Sequence, residues 1–102
     1  MTATLDTTTP VTGDLGAPTR PLLVRYFAAA KAAAGTPEEK LELPEGVSVD
    51  GAVAALAAAH GPQLATVLAR CSFLLDEVAV RDRTTPVGEA ATLDVLPPFA
   101  GG

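Results

Sequence analysis

A chain of 102 residues, 48% hydrophobic and carrying a net charge of −5, has room for one small domain. Its seven basic residues are scattered, so no basic stripe displaces counterions from a phosphate backbone, and nucleic acid is not an expected partner. The single cysteine, Cys71, excludes an internal disulfide and a cysteine-clustered metal site, and no apolar run approaches the roughly 20 residues of a membrane-spanning helix.

Residues 1–20 are mostly Thr, Pro, Gly, Ala and Asp, without periodicity. They bury too little surface to offset chain entropy, and a disordered arm is expected. Their only positive charge is Arg20, at the wrong end for a secretory signal, so a cytoplasmic location is expected.

Pro21 to Phe27 is apolar and rich in β-formers, which predicts a strand in the interior of a sheet. Ala28 to Ala34 favours a short helix, and Gly35 is placed to end it. Lys40 to Leu43 alternates polar and apolar, the pattern of a half-buried strand, and Pro44-Glu45-Gly46 stops it. Ser48 is a candidate N-cap, and Asp50 suits the first turn that follows. Val49, Val53, Leu56 and Ala57 then recur at helical spacing up to Gly61-Pro62. A second helix is expected over about Pro62 to Arg70, with Leu64, Val67 and Leu68 inward. Phe73 to Leu75 and Val78 to Val80 predict a strand pair, or one interrupted strand, around Asp76-Glu77. Residues 81–89 read as loop, and Thr92 to Leu96 alternates as the last strand. One principal helix within this mixed order predicts an α+β domain over residues 21–96, a single sheet packed on that helix.

Beyond Leu96 comes Pro97-Pro98-Phe99-Ala100-Gly101-Gly102, expected to form a flexible tail. Two side-chain-free residues make a slim acyl group that enters a narrow channel, where a Cβ would widen the chain. The carboxylate of Gly102 is therefore the expected working group. Pro97 and Pro98 fix φ and lack N–H groups, which holds this stretch extended before it binds. Phe99 suits an apolar pocket on a partner, as an anchoring aromatic.

Three segments carry a family resemblance: Val24 to Gly35 (VRYFAAAKAAAG), Leu41 to Leu56 (LELPEGVSVDGAVAAL) and Leu96 to Gly102 (LPPFAGG). With the element order, they resemble the β-grasp, ubiquitin-like sulfur carriers, and among these the MoaD-like small subunits of molybdopterin synthase. The resemblance covers about residues 21–102. The ThiS-like carriers of the thiazole pathway share the fold and the Gly-Gly; they are usually shorter and typically lack the Pro-Pro. Two departures separate this chain from the common pattern: LLDEVAV (Leu74 to Val80) where "VNGE" is frequent, and Gly88-Glu89-Ala90-Ala91 where "DGDE" is frequent.

The resemblance implies a cycle. An adenylating (MoeB-like) enzyme uses ATP to activate the Gly102 carboxylate, and a sulfur-donor enzyme converts the acyl-adenylate to a thiocarboxylate. The tail, Pro97 to Gly102, then enters the MoaE-like large subunit and gives sulfur to cyclic pyranopterin monophosphate. The carrier itself binds no cofactor or metal and is not a catalyst. Two further readings stand beside this one: a ubiquitin-like modifier joined through Gly102 to lysines, and a binding module whose Gly-Gly is incidental.

The remaining chemical side chains have structural explanations. Cys71, with no histidine near it in sequence, is expected as a small buried hydrophobe. His60 suits a helix C-terminus, where a cation complements the dipole. Asp76, Glu77 and Asp82 fall at turns and read as solvated.

Overall fold

The computed structural model describes residues 18–98. Five strands, β1 (Thr19–Tyr26), β2 (Glu38–Pro44), β3 (Ser72–Leu75), β4 (Val78–Ala79) and β5 (Thr92–Leu96), form one mixed sheet in the order β2-β1-β5-β3-β4. β1 and β5 run parallel and every other pair is antiparallel. The helices are α1 (Ala28–Ala34), α2 (Val49–His60) and α3 (Pro62–Leu68).

The sheet has one apolar face, and period-2 alternation puts it there. Leu22, Val24 and Tyr26 of β1, Leu93 and Val95 of β5, Phe73 of β3 and Leu43 of β2 are buried. Against them pack Val49, Ala52, Val53 and Leu56 of α2, Leu64 and Leu68 of α3, and Ala30 of α1. This is the α+β, β-grasp arrangement expected, with α2 as principal helix.

Ser48 caps α2 as predicted, its Oγ accepting the Gly51 N–H at 3.1 Å. Gly51 inside the helix has a steric cause: a Cβ there would meet Val47 Cγ2 at 2.5 Å. Gly61, at φ +96°, ends α2 with its N–H on the Ala57 carbonyl at 2.8 Å and opens α3, whose first residue is Pro62. The loop after β4 crosses the start of α2. Thr85 and Arg83 carbonyls accept the Val49 and Asp50 N–H groups, both at 2.9 Å, two donors that a helix start leaves without internal partners. Val87 of that loop is buried, its N–H on the Val47 carbonyl at 2.9 Å.

Several boundaries differ from the sequence reading. β1 starts at Thr19, so the last residues of the expected arm belong to the sheet: Thr19 and Arg20 stand opposite Pro44 and Leu43, and the Thr19 hydroxyl donates to Glu42 at 3.0 Å. The edge strand's backbone recruits them, whatever their propensity. Phe27 is not in the strand; it is the residue before α1 and is 43% exposed. β2 runs from Glu38 to Pro44, longer than the alternating Lys40 to Leu43. α3 ends at Leu68, and β4 stops before Val80. Residues 1–17 of the expected arm, and Phe99 to Gly102 of the expected tail, lie outside the described residues.

Candidate functional site at the end of the last strand

β5 lies inside the sheet, with β1 on one side and β3 on the other. Its end is fixed by pairing of Val95 with Phe73 and of Leu96 with Ser72, and by the Phe27 N–H on the Val95 carbonyl at 3.3 Å. The chain therefore leaves a rigid strand beside the start of α1 and the end of α3. Pro97 is half-buried and Pro98 exposed. With Ala29, Thr66, Val67 and Arg70 they line a groove of about 380 Å³. These two prolines are the only part of the expected tail among the described residues; Phe99, Ala100, Gly101 and Gly102 follow directly.

The sheet face away from the helices carries Leu23, Arg25, Leu74, Asp94 and Leu96, the residues whose strand register opposes the core set. At its centre Arg25 donates through Nε to Asp94 Oδ1 and through Nη2 to Oδ2, the latter at 2.9 Å. Glu77 stands 3.9 Å from the same guanidinium. Asp94 is only 6% exposed, so the bidentate pair is what makes a carboxylate tolerable inside the sheet. The bond to Asp94 in turn holds the Arg25 guanidinium above its ordinary range. The pair leaves no signature in composition. Its signal is one aspartate on the outward phase of TLDVL, opposite an arginine in β1.

The other candidates resolve into structural roles. Cys71 is buried, its Sγ on the Val67 carbonyl at 3.2 Å. Burial pushes its thiol up, with Arg83 opposing, so it is held protonated and poorly nucleophilic. His60 does end α2, but its ring bonds Glu39 of β2 and meets the Tyr26 ring edge-on at 6.0 Å between centroids. The buried Tyr26 hydroxyl donates to the same Glu39 oxygen, and burial, more than that bond, pushes the phenol up. This Tyr26–Glu39–His60 cluster ties two strands to the helix and was not legible in the sequence.

Asp76 is more than a solvated turn residue. Its Oδ1 accepts the N–H groups of Ala91 and Thr92 at 2.8 and 3.0 Å, which holds its carboxyl below the usual range and fixes the entry to β5. Asp76 and Glu77 both have positive φ, +46° and +70°, as a tight hairpin between β3 and β4 requires. Asp82 turns instead to Thr84, accepting its N–H at 2.9 Å and its hydroxyl at 2.7 Å. Among the described residues no three metal-ligating side chains converge, and no helix is long and apolar enough to cross a membrane.

Comparison with known proteins agrees with this architecture. The molybdopterin synthase sulfur carrier subunit of Chlamydomonas reinhardtii is 32% identical over 80 residues, covering 78% of this chain and 95% of that protein. Among solved structures, SAMP1 from Haloferax volcanii superposes with a TM-score of 0.70 at 22% identity, covering 81% of this chain and all of that one. The complex of subunits 1 and 2 of molybdopterin-converting factor from Helicobacter pylori 26695 holds a chain with a TM-score of 0.56 at 23% identity, covering 81% of this chain and all of that one. The model of the ThiS family matches residues 24–102, from the core of β1 through the Gly-Gly, and the chain belongs to that family.

Proposed function

We propose that this protein is the sulfur-carrying small subunit of a molybdopterin synthase, with the Gly102 carboxylate as the group that is adenylated and converted to a thiocarboxylate. The observation that carries the reading is the family match running through Gly102, in a chain whose last strand ends at Leu96 and is followed directly by two prolines. The 32% identity with a molybdopterin synthase sulfur carrier subunit favours that acceptor over the thiazole of thiamin.

The division of labour follows from the chemistry of a carboxylate. A carboxylate is a poor acylating group, so an ATP-using, MoeB-like partner activates it and a sulfur-donor enzyme displaces the adenylate. The carrier presents the acyl group within about 3–3.5 Å of its attacker, in a channel that excludes water. Pro97 and Pro98 stiffen the approach and lower the ordering cost, roughly 1–2 kcal/mol per residue, that glycine residues raise. Phe99 anchors the tail and Ala100-Gly101-Gly102 threads the channel. The chemistry of sulfur insertion belongs to the large, MoaE-like subunit, which docks on the open sheet face around Leu23, Leu74 and Leu96. The Arg25–Asp94 pair orients that contact.

Reconstitution tests the assignment. The thiocarboxylated chain, mixed with a molybdopterin synthase large subunit, is expected to form a stable complex and convert cyclic pyranopterin monophosphate to the dithiolene product. Failure of both, with sulfur delivered instead to a thiazole synthase, would assign the thiamin pathway. Covalent ladders on lysines of other proteins would assign a modifier instead.

A further inference from the structure

β2 is an outer strand, paired with β1 on one side only. Two bonds fix the phase of that pairing at its ends: the Tyr26 N–H on the Pro37 carbonyl at 2.8 Å, and the Glu45 N–H on the Pro18 carbonyl at 3.4 Å. Directly opposed residues of an antiparallel ladder alternate between exchanging hydrogen bonds and exchanging none. Glu39, Leu41 and Leu43 therefore turn their amides towards Val24, Leu22 and Arg20, while Glu38, Lys40 and Glu42 turn theirs outward. Of these outward groups only the Glu38 carbonyl meets a partner among the described residues, the Thr36 hydroxyl at 2.9 Å. Leu41, the midpoint of the strand, is half-buried at the rim of the core, between the exposed Lys40 and Glu42.

We propose that a second copy of this chain pairs with the free edge of β2, antiparallel about a two-fold axis at Leu41, joining the two sheets into one. An open edge accepts another strand through its main chain, and the side chains decide which strand. Outward amides must meet outward amides, so the axis falls at a residue and not between residues. Centred on Leu41, the pairing spans the whole of Glu38–Pro44 and sets Lys40 of each copy opposite Glu42 of the other. Lys40 and Glu42 then exchange both main-chain bonds, and the two Leu41 side chains meet in the closer, non-bonded pair. The Thr19 hydroxyl holds Glu42 Oε1 at 3.0 Å, leaving Oε2 for the lysine.

The neighbouring registers fail on charge. Centring on Lys40 sets lysine against lysine and Glu38 against Glu42; centring on Glu39 or Glu42 sets a glutamate against itself and pairs fewer residues. Overlap and charge complementarity thus select the same alignment. The contact is isologous and closes at two copies. One strand against one strand buries less than a standard stable interface, so the association is weak and populated at raised protein concentration. Neither the residues after Leu96 nor the outer residues of β3 and β5 take part, so the pairing is independent of the proposed carrier function.

Sedimentation equilibrium of the full chain and its charge variants over a range of concentrations tests the pairing. The parent is expected to show a monomer–dimer equilibrium. Lys40→Glu and Glu42→Lys, both at exposed positions, are each expected to weaken it about tenfold, because every cross-strand pair becomes like-charged. Mixing these two variants is expected to restore association, since each then opposes the other's charges, and so is the double variant K40E/E42K. Amide exchange of Lys40 and Glu42 is expected to slow as concentration rises, while Glu39 and Leu41, already bonded to β1, stay unchanged. A monomer mass at every concentration would overturn the proposal and leave the charges as guards of an unpaired edge. Association that survives both single variants would also overturn it, by placing the contact elsewhere. Weakening without rescue by the mixture or the double variant would overturn the register.

Discussion

From Leu22 to Val95 the core-facing residues of β1 and β5 are all buried, and the helices cover them with Leu and Val. From Pro97 onward the sequence supplies two rings without N–H groups, one phenylalanine, and three residues with at most a methyl group. The body is built to bury surface, and under the proposed function the ending is there to be presented. If the proposed function holds, the difference makes stability and chemistry separable: substitutions in the body lower the folded fraction, while changes in the last residues alter what the folded protein does.

The sharpest way to break the comparison is removal of Gly102. Loading with sulfur in a reconstituted activation reaction is expected to fall below detection. The urea unfolding free energy is expected to move by no more than about 0.5 kcal/mol, the range for surface changes. A large stability loss would make the terminus part of the body after all.

Leu56→Ala is the converse. Leu56 is fully buried on α2, and its truncation is expected to cost about 2–5 kcal/mol. Loading per folded molecule should be unchanged, as measured at a temperature where the variant remains native.

A smaller effect belongs to the cluster at the rim of the sheet. Glu39→Ala leaves the buried Tyr26 hydroxyl without its acceptor and is expected to destabilise by about 1–3 kcal/mol. Tyr26→Phe, which removes the donor together with its requirement, should cost less. Equal costs would show that the hydroxyl does not depend on Glu39.

The smallest is visible only in acid. The Asp76 carboxyl is held below its ordinary value by the Thr92 and Ala91 N–H groups. Its contribution is therefore complete above about pH 3.9, the ordinary value for an aspartate, and is lost as pH falls through the lower folded value. Asp76→Asn is expected to flatten that acid limb of the unfolding midpoint against pH while leaving the neutral limb nearly parallel to that of the parent.

Much of this was written in the sequence where local physics decides. Ser48 as N-cap, Gly61-Pro62 as the joint between helices and the alternation of Thr92 to Leu96 are signals within a few residues of their effect. What was hidden depends on partners far along the chain. Arg25 meets Asp94 across 69 positions, and Tyr26, Glu39 and His60 meet only because β1, β2 and α2 converge. Thr19 and Arg20 read as arm because their composition is poor, yet the exposed edge of β2 is enough to order them. Asp76 looked like an ordinary turn residue since the backbone N–H groups it accepts from lie at the start of β5, 15 and 16 positions away.

The central claim is that the Gly102 carboxylate carries the sulfur, and the most direct test is the intact mass of the protein after incubation with a cognate adenylating enzyme, ATP and a sulfur donor. The account predicts a species in which one oxygen is replaced by sulfur, mapped by fragmentation to the peptide ending at Gly102 and absent when that residue is removed. An unmodified carboxylate in every such reaction, or sulfur mapped to Cys71 instead, would contradict it.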